Sequence, residues 1–237
     1  MFLDDFYTVR DGRFCISAEQ ASHFAKQMAG DYNPIHDPDA RRFCVPGDLL
    51  FALILARHGL SAQMTFHFRG MVGADMPLEI RELADNTLSM NDVSGKEVLF
   101  VERSGEASVD PAVIEAFTCR YIAFSGHNFP HYLKPLMEQQ GVMFNPQRPL
   151  VIYDSMGFTL NSLDIASLEV EFAGSTFEVN GKRGDAHLEF KMVSQDETVG
   201  QGSKKLVVSG LRAYDATVMD EFVDDFERRK VLCEQMD

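Results

Sequence analysis

The spacing of apolar residues changes several times along the chain, and each change predicts an element. Ala18, Ala21, Phe24, Ala25 and Met28 recur at three- and four-residue steps, the apolar face of an amphipathic helix. Ser17, with Gln20 three residues on, has the pattern of a capping box, and Glu19 suits the positive end of the first turn. Gly30 is placed to stop this helix in the left-handed conformation. Pro34 and Pro38 then push Asn33 and Asp37 out of the helical region, so the stretch from Gly30 to Asp39 is predicted as a loop. Pro46-Gly47-Asp48 restarts helix. Its continuation "LLFALILA", residues 49–56, has no polar face, so the helix must be wrapped on several sides.

After Gly59 the period falls to two. "MTFHFRGMV", "PLEIRELA", "TLSMND" and "KEVLFVERSG" read as strands, with turns at Asp85-Asn86 and Ser94-Gly95. Residues 1–109 therefore predict one capped helix, a loop, one buried helix and about four strands, with the sheet curled around the helix. The order then recurs. Asp110-Pro111 starts a helix, "AVIEAFTCRYIAF", and "SGHNFPHYLKP" repeats the Gly, Asn, Pro and His of "AGDYNPIHDP", with His127 standing in place of Asp31. "PLVIYDSMGFTL", "SLEVEF", "TFEV", "AHLEFKMV" and "KKLVVSGL" are strands, with a turn at Asn180-Gly181. The class is α+β. Two similar halves, 1–109 and 110–215, join near Val109 to Pro111, and the second is degenerate, with His127 and His131 as remnants or plain loop residues. In the tail, 216–237, Val218, Met219, Phe222, Val223 and Phe226 mark an amphipathic helix that docks on the body or on a partner.

Composition narrows the partners. The chain has 237 residues, 45% hydrophobic and 24% charged, enough for a large core. A net charge of -14 repels phosphate backbones and argues against nucleic acid. The run at 49–56 is far shorter than the ~20 residues of a membrane span, and the N-terminus lacks a signal-peptide layout. The four cysteines show no CxxC spacing, which suits reduced thiols in the cytoplasm.

The chemistry concentrates in "GDYNPIHDPD". Asp31 and His36 can act as acid and base around one water, or Asp31 can simply cap backbone N–H groups while His36 packs. Asp31, His36, Asp37 and Asp39 show no standard metal-ligand spacing, so no metal is predicted, and no cofactor. The stretch "FAKQMAGDYNPIHDPDARRF…VPGDLLFALIL" resembles the signature of MaoC-like, (R)-specific enoyl-CoA hydratases of the hot-dog superfamily, possessing a G-D-x-N-P-[IL]-H loop and a glycine turn into a long central helix. Gly30, Asp31, Asn33, Pro34, Ile35 and His36 match it. The tight match spans residues 17–59; the rest agrees only in element order, as for a bacterial branch of that superfamily.

The resemblance implies a tandem hot-dog, an antiparallel sheet wrapped around a central helix. It implies hydration or dehydration of an enoyl thioester on CoA or acyl-carrier protein. Asp31 and His36 would be catalytic, Gly47 would offer backbone N–H groups to the thioester oxygen, and Asn33 and Pro34 would shape the loop. Arg41 and Arg42 are the basic pair available to substrate phosphates. Two departures matter: Pro46-Gly47 replaces the family's frequent His-Gly, and Asp48 would compete for the same N–H groups and repel an enolate. Two other functions therefore stay open, an acyl thioesterase and a non-catalytic acyl-binding or scaffold protein. The expected partner is an acyl thioester, and self-association as a homodimer stays open.

Overall fold

A computed structural model describes residues 2–165 and 167–234; the side chains of His127, Cys233 and Glu234 lie outside the described part. The first elements are strands β1 (Thr8–Arg10) and β2 (Arg13–Cys15), then helices α1 (Ala18–Gln27) and α2 (Gly47–His58). Strands β3 (Leu60–Phe68), β4 (Leu78–Glu82), β5 (Thr87–Asp92) and β6 (Glu97–Ser108) follow. Helices α3 (Pro111–Ala123) and α4 (Leu133–Gln139) lead to β7 (Val142–Met143) and β8 (Val151–Leu160). The chain ends with β9 (Glu169–Asn180), β10 (Arg183–Ser194), β11 (Glu197–Ser209), β12 (Arg212–Ala213) and α5 (Ala216–Glu234).

The fold is α+β, with one ten-stranded antiparallel sheet ordered β1-β2-β4-β5-β6-β3-β8-β11-β10-β9. β3 and β8 pair at its centre, Phe66 opposite Met156. Outward from that pair the order is β6, β5, β4 on one side and β11, β10, β9 on the other, so each flank is the same meander.

Local sequence explains the elements that carry the loop. Ser17 Oγ accepts from the Gln20 N–H at 3.2 Å, and Gln20 Oε1 accepts from the Ser17 N–H at 3.0 Å. At the other end Gly30 has φ +60°, and the Asp31 N–H reaches back to the Ala25 carbonyl at 2.8 Å. This backward bond fixes where the loop leaves the helix. Leu49 through Leu55 of α2 are all 2% exposed or less. Phe51 stacks on Tyr121 of α3 and packs on Phe66 of β3, each with ring centroids 4.7 Å apart. Leu53→Ala is expected to lower stability by about 2–5 kcal/mol, because the void would be sealed in by neighbours on every side. A denaturant-unfolding loss below about 1 kcal/mol would mean that the site collapses freely.

Four details differ from the expectations. "SLEVEF" and "TFEV" are one strand, β9, carried through by a bulge opposite Glu189/Phe190. Two short N-terminal strands extend the sheet, and β7 and β12 form a separate pair. The end of "SGHNFPHYLKP" belongs to α4. Its Pro135 sits in the first turn, where a missing N–H breaks no helical bond. Of the two dockings expected for the tail, helix α5 takes the body, through buried Met219 and Phe226, with Phe222 against Phe129 and Phe144.

Candidate functional site

The loop after α1 is built from its own polar side chains. Asp31 Oδ1 accepts from the Asn33 N–H at 2.9 Å, and Asn33 Oδ1 accepts from the Ile35 N–H at 3.3 Å. Pro34–His36 then forms a single 3-10 turn. Asn33 Nδ2 donates to the Val151 carbonyl at 3.2 Å, which ties the loop to β8. His36 Nδ1 lies 2.6 Å from the Cys44 carbonyl. A carbonyl only accepts, so Nδ1 carries the proton. Nε2 therefore faces Asp31, 3.6 Å from Oδ2.

Burial pulls the His36 pKa down, but the neighbouring Asp31 carboxylate, the Cys44 carbonyl and the Asp48 charge together raise it above the ordinary value. A raised folded-state value stabilises the fold below the unfolded histidine's pKa of roughly 6.5, and that stabilisation is lost as pH rises through the folded value. Stability of the native chain should therefore fall across that interval, and His36→Gln should flatten the fall. Parallel unfolding curves for the two proteins at each pH would contradict the pairing.

Asp31, His36 and Gly47 lie on the wall of one cavity of about 290 Å³. The rest is largely apolar, with Leu50, Phe68, Val72 and Leu133 among its lining, and Phe222 and Phe226 bring α5 to its wall. Asp37 holds α5 in place, 2.7 Å from Arg229 and 3.0 Å from Lys26. Helix α2 starts at this wall. Pro46 supplies no side-chain cap, so the first amides of the helix have no cap from it. A Cβ on Gly47 would come within 2.8 Å of Tyr153 Cδ2 and 3.1 Å of Phe68 Cε1, so only glycine lets the helix start so close to both rings.

The second loop meets the first here. A Cβ on Gly126 would sit 2.5 Å from the Ala29 carbonyl oxygen and 3.0 Å from that of Gly30. Both loops line the same cavity, the first through Asp31, Asn33, Pro34 and His36 and the second through Ser125 and Asn128.

Asp48 does not compete for the amides in the way its position in the sequence suggests. Its side chain is enclosed, 1% exposed, and both oxygens are engaged by other side chains. Oδ1 accepts from Ser125 Oγ at 3.0 Å and lies 3.6 Å from Lys204 Nζ; Oδ2 accepts from the Tyr153 hydroxyl at 3.1 Å. Lys204 Nζ also donates to Ser125 Oγ and sits 4.4 Å from the Tyr121 ring centroid. Burial raises the Asp48 pKa, against the pull of Lys204 and the Ser125 and Tyr153 hydroxyls. Burial lowers that of Lys204, opposed by Asp48. Sequence reasoning missed Ser125, Asn128, Tyr153 and Lys204. Lys204 alone left a trace: in β11 it is in phase with Leu206 and Val208, the buried face of the strand.

Arg41 and Arg42 lie outside the cavity. They line a separate surface groove of about 640 Å³ together with Arg148, and Pro34 and Pro149 border both spaces. Among the described residues, no cluster of His, Cys, Asp or Glu is arranged to hold a metal ion, and no helix is long and apolar enough to cross a membrane.

The family follows from the sequence as a whole: residues 1–217 match the model described as "Protein of unknown function (DUF3581)". The chain belongs to the DUF3581 family. In this DUF3581 member α5 lies almost entirely beyond the matched span, yet it supplies part of the cavity wall. No curated protein matches the chain. Solved structures that resemble it include a conserved protein of unknown function with hot dog fold from Alicyclobacillus acidocaldarius. It is 12% identical, with a TM-score of 0.48, over 88% of this chain and 98% of that one. A MaoC-like dehydratase is 13% identical, with a TM-score of 0.45, over 86% and 98%. An acyl-CoA thioesterase II from Mycobacterium marinum is 11% identical, with a TM-score of 0.42, over 91% and 99%. Neither chemistry nor substrate transfers across such identities and TM-scores.

Proposed function

We propose that this DUF3581 protein is a tandem hot-dog that hydrates an enoyl thioester, or dehydrates the corresponding 3-hydroxyacyl thioester, at Asp31 and His36. The observation that carries the reading is the 3.6 Å approach of Asp31 Oδ2 to His36 Nε2 on the wall of a mostly apolar cavity, beside the start of α2. The matching strand order on either side of β3–β8 supports two halves, 1–109 and 110–215, around α2 and α3.

Hydration needs a base for water at C3 and an acid for C2. A water between Asp31 and His36 would lose a proton to one of them as its oxygen bonds C3, and a proton would pass to C2. The C2=C3 π bond is consumed, and no co-reactant is required. Charge that builds on the thioester oxygen would be met by the amides at Gly47 and Asp48. Because Lys204 partners the Asp48 carboxylate, the enolate would not face an uncompensated negative charge. Asn33 and Pro34 would hold the loop, and Arg41 and Arg42, joined by Arg148, would take carrier phosphates at the adjoining groove.

The test is a panel of crotonyl-, octenoyl- and saturated acyl-CoA thioesters on pure protein. Loss of the conjugated enoyl chromophore, with the thioester intact, is the expected result. Release of free thiol would instead make it a thioesterase, with Asp31 activating water against the carbonyl. Saturable binding without turnover would make it an acyl-binding protein.

A further inference from the structure

Helix α5 reaches the cavity with one face. Met219, Phe222, Phe226 and Arg229 follow one another at steps of three and four residues, which puts them on one side of the helix. Asp220, Glu221 and Asp224 are exposed on the other side, so it is the rings of Phe222 and Phe226 that meet the cavity wall. The same face is anchored at two points. Met219 is fully buried in the core cluster that holds Leu133 and Phe144. Arg229 pairs with Asp37, the residue after His36. At the helical rise, Phe222 stands about 10 Å further along α5 than Arg229. The helix therefore leads from the loop of Asp31 and His36 toward that core cluster.

The two rings belong to a larger group. Phe222 lies against Phe129 and Phe144, with ring centroids 5.5 and 5.0 Å away, and Phe226 lies against Phe129 at 5.4 Å. All four rings line the cavity. Behind them the packing is closed: Phe144 is 2% exposed, and Leu133 and Met137 of α4 and Met219 of α5 are 1% exposed or less. The exposed lining is elsewhere, at Arg69 and Met71, and Pro34 and Pro149 border the arginine groove. A long ligand entering from either place meets the four rings as a closed end. A close-packed interior gives way to extra methylenes only at a cost, so a tail that runs past the rings has to displace them.

We infer that Phe222 and Phe226 are specificity residues that end the cavity and set the longest acyl chain it accepts. This rests on the reading of the cavity as an acyl-thioester site and adds a length limit to it. The part of the ligand concerned is its hydrocarbon tail, which the four rings meet with apolar surface alone. Because Arg229 ties α5 to the residue after His36, the same helix that ends the tail is fixed to the loop where the thioester would react.

The experiment measures dissociation constants for saturated ketone analogues of acyl-CoA, 2-oxoalkyl thioethers that are neither hydrated nor hydrolysed, with tails lengthened two carbons at a time. Wild-type protein is compared with Phe222→Ala, Phe226→Ala, Phe222→Trp and Met219→Ala, with folding checked by circular dichroism. In wild type, affinity should rise about fourfold for each added methylene and then stop rising at one length. The two alanine variants at the rings should move that stop to a longer tail, and Phe222→Trp to a shorter one. Met219→Ala weakens the hold on α5 without changing the wall, so its stop should stay where wild type has it. Should the alanine variants fail to fold, Phe222→Leu carries the same expectation, because Phe222 is half-buried and leucine keeps part of its packing. A stop at the same length in wild type and the Phe222 variants, or affinity that rises along the whole series, would overturn the role of α5 and leave the acyl-thioester reading standing. A stop that moves as far in Met219→Ala would trace the change to a loosened helix and overturn that role too. No binding of any analogue would overturn both.

Discussion

Lys204→Met should destabilise the chain by about 3–5 kcal/mol in denaturant unfolding, the largest loss expected of any single polar substitution in the chain. Lys204 is 1% exposed and is the cation that faces Asp48, itself 1% exposed. Methionine fills much the same space, so the effect would come from charge and not from a void. Removing the ammonium leaves a buried carboxylate whose remaining partners, Ser125 and Tyr153, are neutral. Asp48 would then take up a proton on folding at neutral pH, and unfolding should become steeply pH-dependent. The double variant Asp48→Asn/Lys204→Met removes both charges and keeps an oxygen for the two hydroxyls. It should recover most of the loss, since replacing a buried ion pair as a unit is often close to neutral. A single-variant loss below about 1 kcal/mol, or a double variant as unstable as the sum of its parts, would show that the pair does not hold this region.

That ion pair also marks the limit of what the sequence carried. The elements around the first loop were legible because their signals are local. Ser17 and Gln20 announce the cap, Gly30 the stop, Pro34 and Pro38 the loop, and the unbroken apolar run after Asp48 a helix with no exposed face. Asp31 and His36 could be paired because they lie five positions apart in one loop. The other side of the cavity comes from far along the chain. Ser125, Tyr153 and Lys204 meet Asp48, and Asn128 meets Tyr153, because β3 pairs with β8 and the second loop packs against the first at Gly126 and Gly30. No spacing rule relates residues 48 and 204. Read alone, Asp48 looked like an intruder at a helix start, because its compensating charge is on the eleventh strand. Helix α4 was hidden for a different reason: Pro130 and Pro135 read as loop, although a proline in the first turn is harmless to a helix.

Asp31→Asn should lower hydration of the best enoyl thioester by about 10²–10⁴-fold, the range that a positioned acid or base contributes. The substitution changes little else. Oδ1 can still accept from the Asn33 N–H, so the turn that shapes the loop survives. The new amide nitrogen replaces Oδ2 and can donate to Nε2 of a neutral His36, whose Nδ1 proton stays on the Cys44 carbonyl. Above the range in which His36 titrates, stability should therefore change by only a few tenths of a kcal/mol, while at lower pH the loss of the carboxylate that raises the His36 pKa should show as lost stability. Asp31→Ala separates the two roles, because it also deletes the acceptor for the Asn33 N–H. It should be inactive and in addition less stable by about 0.5–2 kcal/mol, as for a lost cap. An Asp31→Asn protein that keeps its rate within tenfold of wild type, beside an unstable Asp31→Ala, would make Asp31 a loop-former and leave His36 without its partner in the reaction. The cavity would then have to be understood from its other wall, through Ser125 and Asn128, and not from the loop that the sequence makes conspicuous.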